Sequence, residues 1–289
     1  MEVSPIRIVD TVTDTVLGSA GVDFIKVMDG EVGSTHKLRV NHTGSAQVVI
    51  GDGANLDAFS RLRVSDPYTQ FDSTAEYGLD TLKWDTAVVG SGAVSAVANQ
   101  CALRLTTGGT TDTHAATLQS KPHMIYQPGK SRLVLMTFVM SAAQTNGLVE
   151  IGYGNASNGI FLQRSGSAIQ LVRRTNVTGT PVDNVVAQTD WNLDPLNGLG
   201  ESGYTLNLTR ANIFIIDLQF LGVGRVRVGF DLDGKVIYCH EFRNANSLST
   251  VYMSTGSLPL RYRVLNSGTA GGTTTLDAIC QSVVSEGGV

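Results

Sequence analysis

A chain of 289 residues with 42% hydrophobic side chains can bury a large core without a metal or disulfide staple. A net charge of −4, a charged fraction of only 16% and the lack of any run of four or more Lys and Arg exclude the counterion-release footprint of a nucleic-acid binder. Nowhere do eighteen apolar residues run together, and the start lacks a basic stretch followed by an apolar one, so neither membrane insertion nor a secretion signal is expected.

The 32 glycines, together with abundant Thr, Ser, Asn and Val, favour strands and turns over helices. Residues 1–56 are strand-like in "HKLRV" and "AQVVI" but are broken by "GSAG", "DGEVGS" and "GDGAN". They carry too few large apolar side chains for a core of their own, so they read as an attachment and assembly arm. Residues 57–80 hold Pro67 and the aromatics Phe59, Tyr68, Phe71 and Tyr77, a composition that suits an ordered connector and not a loose linker.

Residues 81–289 are a succession of short alternating or apolar runs with turn residues between them. They include "RLVLMTFVM" (132–140), "LVEIGYG" (148–154), "GIFLQRSG" (159–166), "AIQLVRR" (168–174), "YTLNL" (204–208) and "NIFIIDLQFLG" (212–222). "RVRVGFDL" (225–232), "KVIYCHEF" (235–242), "LPLRYRVL" (258–265) and "TTTLDAICQSVV" (273–284) complete the series. This spacing predicts an all-β fold, an antiparallel two-sheet sandwich of jelly-roll type with a β-rich N-terminal arm.

Two stretches hint at enzyme chemistry. In "GVGRVRVG" Gly222 and Gly224 match a dinucleotide fingerprint, but Arg227 stands where the third glycine must allow close helix packing. Val226, Val228, Phe230 and Leu232 alternate with polar or small residues, Asp233-Gly234 supplies a tight turn, and Val236, Tyr238, His240 and Phe242 resume the alternation. That is a hairpin. "HEFRN" has Asn244 where a zinc-protease signature needs a second imidazole, and a strand would send His240 and Glu241 to opposite sides. "GDGANLD" could wrap a cation with Asp52, Asn55 and Asp57, though glycine-rich turns look the same. No metal, cofactor or catalytic residue is assigned. The strand acids Glu150, Asp217 and Glu241 are the ones to inspect for paired-carboxylate chemistry, which leaves no local signature.

The pairs Arg61/Arg63, Arg225/Arg227 and Arg261/Arg263 each put two guanidinium groups on one face of a strand. With Phe59, Tyr68 and Phe71 they are candidates for a subunit interface or an acidic-glycan surface, against the plainer reading of a solvated sheet face. In the loop "DWNLDPLNGLGESGY" (190–204), Trp191, Asp194, Asn197 and Tyr204 form the best candidate for a glycan or partner contact. Cys101, Cys239 and Cys280 lie in strand-like stretches and read as buried free thiols.

"LDAFSRLRVSDPYTQFDS" (56–73), "IIDLQFLGVGRVRVGFDLDGKVIYCHEF" (215–242) and "VYMSTGSLPLRYRV" (251–264) resemble segments of tailed-bacteriophage virion structural proteins, including head-decorating and fibre-type proteins. The resemblance implies a β-sandwich displayed on a particle, commonly a homotrimer, assembled in the bacterial cytoplasm with reduced cysteines. Its partners would be other virion proteins, such as major capsid or tail proteins. The resemblance carries over no catalytic residue. The leading expectation is therefore a non-enzymatic structural protein of the virion, decorating the capsid or forming a fibre. The alternative is a module that grips host surface glycan, and a polysaccharide-cleaving enzyme comes third.

Overall fold

A computed structural model describes residues 56–64 and 66–286 and, before them, the backbone of three short strands. Those strands, β1 (Phe24–Lys26), β2 (Lys37–Val40) and β3 (Ala46–Gln47), form an antiparallel sheet in the order β1-β2-β3. They belong to a compact unit, Met1–Gly53, distinct from the unit Ala54–Val289. "HKLRV" and "AQVVI" supply β2 and β3.

The second unit is an antiparallel two-sheet sandwich. Its strands are β4 (Pro67–Thr74), β5 (Trp84–Val89), β6 (Ala93–Val97), β7 (Ala102–Thr106), β8 (Ala115–Ser120), β9 (Arg132–Met140) and β10 (Gly147–Gly154). There follow β11 (Gly159–Ser165), β12 (Ala168–Thr175), β13 (Val182–Ala187), β14 (Asn212–Leu218), β15 (Val226–Leu232), β16 (Lys235–Phe242), β17 (Leu260–Asn266) and β18 (Thr275–Glu286). One sheet has seven strands in the order β13-β12-β11-β10-β17-β8-β5. The other has eight, β16-β15-β14-β9-β18-β7-β6, with β4 also paired to β18. The chain passes repeatedly from one sheet to the other, as a jelly roll does.

Period-two patterning makes the core. From the seven-stranded sheet Val149, Ile151, Tyr153, Ile160, Leu162, Leu171, Tyr262 and Val264 point inward. They meet Val134, Met136, Phe138, Phe214, Ile216, Val226, Val228 and Phe230 from the other. Each such side chain contributes about 1.5–3 kcal/mol by leaving water.

Sequence and structure part in four places. First, the ordered connector is itself part of the sandwich expected to begin at residue 81: its strand β4 pairs with β18 from Pro67↔Glu286 to Thr74↔Cys280, and Phe71 meets Trp84 edge-on at 5.5 Å in the core. Second, "YTLNL" is no strand. Leu206 and Leu208 are buried, but Asn207 turns the chain by accepting the Thr209 amide at 3.0 Å. Third, the returning hairpin strand is bulged, Val228 pairing with His240 but Gly229 with Tyr238. The slip turns Tyr238 outward while Cys239 and Phe242 join the core, so the alternation read across β16 holds for only part of it. Fourth, only Cys239 is a buried thiol. Cys101, in a turn at φ 48°, and Cys280 are exposed.

Candidate functional site

The outer face of the eight-stranded sheet is taken up by the connector. Asp217, near the end of β14 and wholly buried, accepts Arg227 at 2.5 Å, pairs with Arg63 at 2.6 Å and accepts the Tyr238 hydroxyl at 3.2 Å. Arg227 also donates to the Leu56 carbonyl at 2.5 Å and lies over the Tyr238 ring at 4.2 Å. Arg225 donates to the Ala58 carbonyl at 2.7 Å and pairs with Glu241 at 3.0 Å. Arg63 donates to the Leu56 carbonyl and pairs with Glu286 at 2.9 Å, while Arg61 holds Asp57 at 2.6 Å. Burial works against the charge on Arg63, but Asp217 beside it wins and raises its pKa. Burial also raises the Tyr238 phenol, with Asp217 acting in the same direction. Four of the six Arg-x-Arg guanidiniums are thus turned to the protein's own backbone and carboxylates.

The other expected site residues scatter. Phe59 and Tyr68 are 42% and 48% exposed, whereas Phe71 is core. The loop candidates do not converge, because Trp191 is packed into the core and Asp194 is a buried cap. The Asp194 carboxylate accepts the Leu196 and Ser202 amides at 2.8 and 2.7 Å. Asn197 is exposed and caps the Leu199 amide, and Tyr204 is half-buried with its hydroxyl bonded to Asp233. A ring that stacks on sugar must be exposed, so the buried Trp191 corrects the reading of this loop as a sugar platform. The apolar Leu196, Leu206 and Leu208 around it were the signal that it packs inward.

The enzyme-like stretches resolve into structure. A Cβ on Gly224 would fall 1.7 Å from the Gln219 carbonyl oxygen, and the Gly224 amide is already given to Phe220 at 2.7 Å. The glycines make a tight turn whose last carbonyl is held by Asn244 at 2.7 Å, a role that local motif reading missed. His240 accepts the Asn192 amide on Nδ1 at 3.2 Å, packs on Phe242, and is pushed down by burial to a pKa of about 4. Among the described residues no group of three or more His, Cys, Asp and Glu could hold a metal. Asp52 and Asn55 lie outside the described residues. Asp57 accepts the Phe59 and Arg61 amides and serves as a turn cap.

The outer face of the seven-stranded sheet is different. Register places Ala187, Gln170, Gln163, Glu150, Arg263 and Thr117 in one row across β13, β12, β11, β10, β17 and β8. The next row runs Val185, Val172, Phe161, Gly152, Arg261, Gln119 and Asp85. Glu150 is buried at the centre, holding Arg174 at 2.8 and 3.2 Å, Arg261 at 3.5 Å and Gln163 at 3.4 Å. Arg174 also takes Asp183 at 2.7 and 2.9 Å and lies over Phe161 at 4.8 Å, and its pKa is raised by both carboxylates against burial. Gln170 donates to Gln163, and Arg261 donates to Gln119 at 2.8 Å. Gln170, Arg261, Arg263, Thr117 and Gln119 are half-buried. One row beyond Gln163 and Gln170, Ser165 and Ala168 help line a cleft of about 410 Å³. Gln144, Thr145, Asn146, Ser167 and Ser267 complete its uncharged polar lining.

No protein-family model matches the chain, and no curated protein sequence does. Solved structures with a similar fold include a botulinum neurotoxin serotype D/C binding domain, at 9% identity and a TM-score of 0.44. That match covers 74% of this chain and 48% of the toxin domain, so the chain spans about half of its length. A structure from work on endo-acting O-glycanases of the human gut microbiota gives 14% identity and a TM-score of 0.49, over 75% of this chain and 99% of the other. The metal-free Emp46p carbohydrate recognition domain gives 10% and 0.40, over 72% and 89%. At these values none of the three lends a residue, a ligand or an activity to this chain.

Proposed function

We propose that this protein is a non-catalytic glycan-binding sandwich, held on a larger particle by the residues before its connector. The observation that carries the reading is the outer face of the seven-stranded sheet. There Gln119, Gln170, Arg261, Arg263 and Thr117 set amide, guanidinium and hydroxyl groups at fixed positions on neighbouring strands. Saccharide hydroxyls are both donors and acceptors, and planar amides and guanidiniums match them in pairs. The two acids of β10 and β13, Glu150 and Asp183, are both committed to Arg174, which favours binding over glycosidic chemistry.

The test is binding of the full chain to immobilised oligosaccharides, with released reducing ends followed in the same samples. The reading expects saturable binding without release, weakened at least tenfold in a Gln119→Ala, Gln170→Ala double variant that still unfolds cooperatively. Binding to no glycan, or release of reducing ends, overturns it.

A second reading, a structural protein of a tailed-phage particle, is favoured by one observation. The stretches 56–73 and 215–242 that carry the sequence resemblance touch each other, through Arg227 to Leu56, Arg225 to Ala58 and Arg63 to Asp217. Such a joint fixes the connector to the sandwich. Cryo-microscopy of particles carrying the chain tests this, and a chain absent from purified virions overturns it.

A further inference from the structure

The charges on the seven-stranded face do not balance locally. Arg174 is fully matched by Glu150 and Asp183. Arg261 donates to the neutral Gln119 but approaches its nearest carboxylate, Glu150, only to 3.5 Å, with a buried Nε that makes no hydrogen bond. Burial lowers its pKa, Glu150 opposes this, and the neighbouring Arg263 and Arg174 push it lower still. Arg263 stands directly across from Glu150 in the register, yet has no ion pair or hydrogen bond among the described residues. The one other acid in these rows, Asp85 on β5, is paired to Lys121 at 3.4 Å. Of two neighbouring guanidiniums, two residues apart on β17 and so on one face, only Arg261 approaches a carboxylate, and that carboxylate is already held by Arg174. Around them Gln119 and Thr117 offer neutral hydrogen-bonding groups of the kind a sugar ring uses.

We infer that the glycan taken by this face is anionic, its carboxylate or sulfate ester seated between Arg261 and Arg263 and its hydroxyls on the surrounding amides. This rests on the glycan-binding reading above. A planar fork of N–H donors fits a carboxylate or sulfate edge bidentately, and an anion there supplies the counter-charge that Glu150 alone cannot. No residue of the connector or of the 190–204 loop takes part.

The experiment uses the full chain on an array of immobilised oligosaccharides in matched pairs. Each acidic member, sialylated, uronate-containing or sulfated, sits beside its neutral counterpart, and the sulfated and carboxylated sets tell the two sources of charge apart. The inference expects acidic members to bind at least tenfold more tightly than their partners. Arg263→Gln and Arg261→Gln should each remove most of that preference, while Arg210→Gln, on an exposed loop elsewhere, should leave it intact. Because Arg263 is unpaired, its variant should melt with the parent protein, which separates lost binding from lost fold. Equal binding to neutral and acidic members overturns the anionic inference and leaves the glycan reading standing. Equal loss in all three variants overturns the site, since it would mean diffuse attraction. Binding to no member overturns both.

Discussion

Asp217 and Glu150 are both wholly buried strand carboxylates on the outer faces of opposite sheets, each among arginines. They differ in where their partners come from. Asp217 is reached by Arg227 from its own sheet and by Arg63 from the connector, so its face is closed by a strap of backbone from Leu56 to Arg63. Glu150 is reached by Arg174, Arg261 and Gln163, all from its own sheet, so the row of polar side chains beside it stays open. The same chemical set, an acid in a ring of guanidiniums, serves as a fastening in one place and as a surface in the other. Topology makes the difference, by bringing a remote segment to one face and not to the other.

The sharpest way to break this comparison is to remove the strap. A chain starting at Ala54 should fold to a stable sandwich, because the compact unit begins there. A chain starting at residue 81 should not, since it loses β4, the Phe71 contact with Trp84 and the Arg63 partner of Asp217. Circular dichroism and thermal melts of the two truncations check this, and a cooperative transition in the shorter one at the temperature of the longer would count against the strap.

Next in size, Asp217→Asn removes the charge that the buried Arg227 shares with Arg63, Arg63 keeping Glu286, and should cost about 3–5 kcal/mol. Glu150→Gln should cost less, about 1–3 kcal/mol, because Arg174 keeps both bonds to Asp183 and Arg261 keeps Gln119. Urea denaturation of the pair measures the difference. Equal costs would mean that the strap adds nothing to the fastening.

How much of this was legible can be judged on the same residues. The run 132–140 is β9 to the residue, and the Asp233-Gly234 turn has φ of 53° and 76° as a tight hairpin requires. Period-two patterning and turn chemistry are local, and they survive folding. Arg225 and Arg227 were legible as a same-face pair, but their partners at Leu56 and Ala58 lie more than 160 positions away, and no local pattern names them. Trp191 was misplaced because loops are usually exposed, and this one is drawn inward by the leucines around it. The polar row on the seven-stranded sheet is assembled from six strands, so each strand shows only one or two of its members. The Arg261/Arg263 pair was its one local trace.

Gly229 carries a smaller effect that corrects a natural expectation. A glycine inside a strand is commonly replaced by alanine at little cost, yet here an added Cβ would lie 2.3 Å from the Ile237 carbonyl oxygen and 2.8 Å from the Tyr238 Cα. Both belong to the bulge that turns Tyr238 outward towards Arg227 and Asp217. Gly229→Ala should therefore cost about 1–3 kcal/mol through overpacking. Gly234→Val, where no atom lies within 4 Å but φ is 76°, should cost about 1–2 kcal/mol through backbone strain alone. Thermal melts of both variants place them, and a neutral Gly229→Ala would show that the bulge can open without disturbing the strap.

The smallest expected effect is a pH dependence confined to the strapped sheet. His240 on β16 is held neutral in the fold, its pKa moved by burial from 6.5 to about 4, with Glu241 opposing the shift only in part. Between those values the unfolded chain binds a proton that the folded chain refuses, so stability is fully present above pH 6.5 and falls as the pH drops toward 4. The full linkage for such a shift comes to about 2 kcal/mol at pH 5, and partial solvent access trims it to roughly 1 kcal/mol. His240→Gln keeps an acceptor for the Asn192 amide but cannot titrate, so its stability should change less between pH 7 and pH 5 than that of the parent. Urea denaturation at the two pH values measures both slopes. If the slopes are equal, the proton is taken up elsewhere, and the acid sensitivity does not belong to the edge of the strapped sheet.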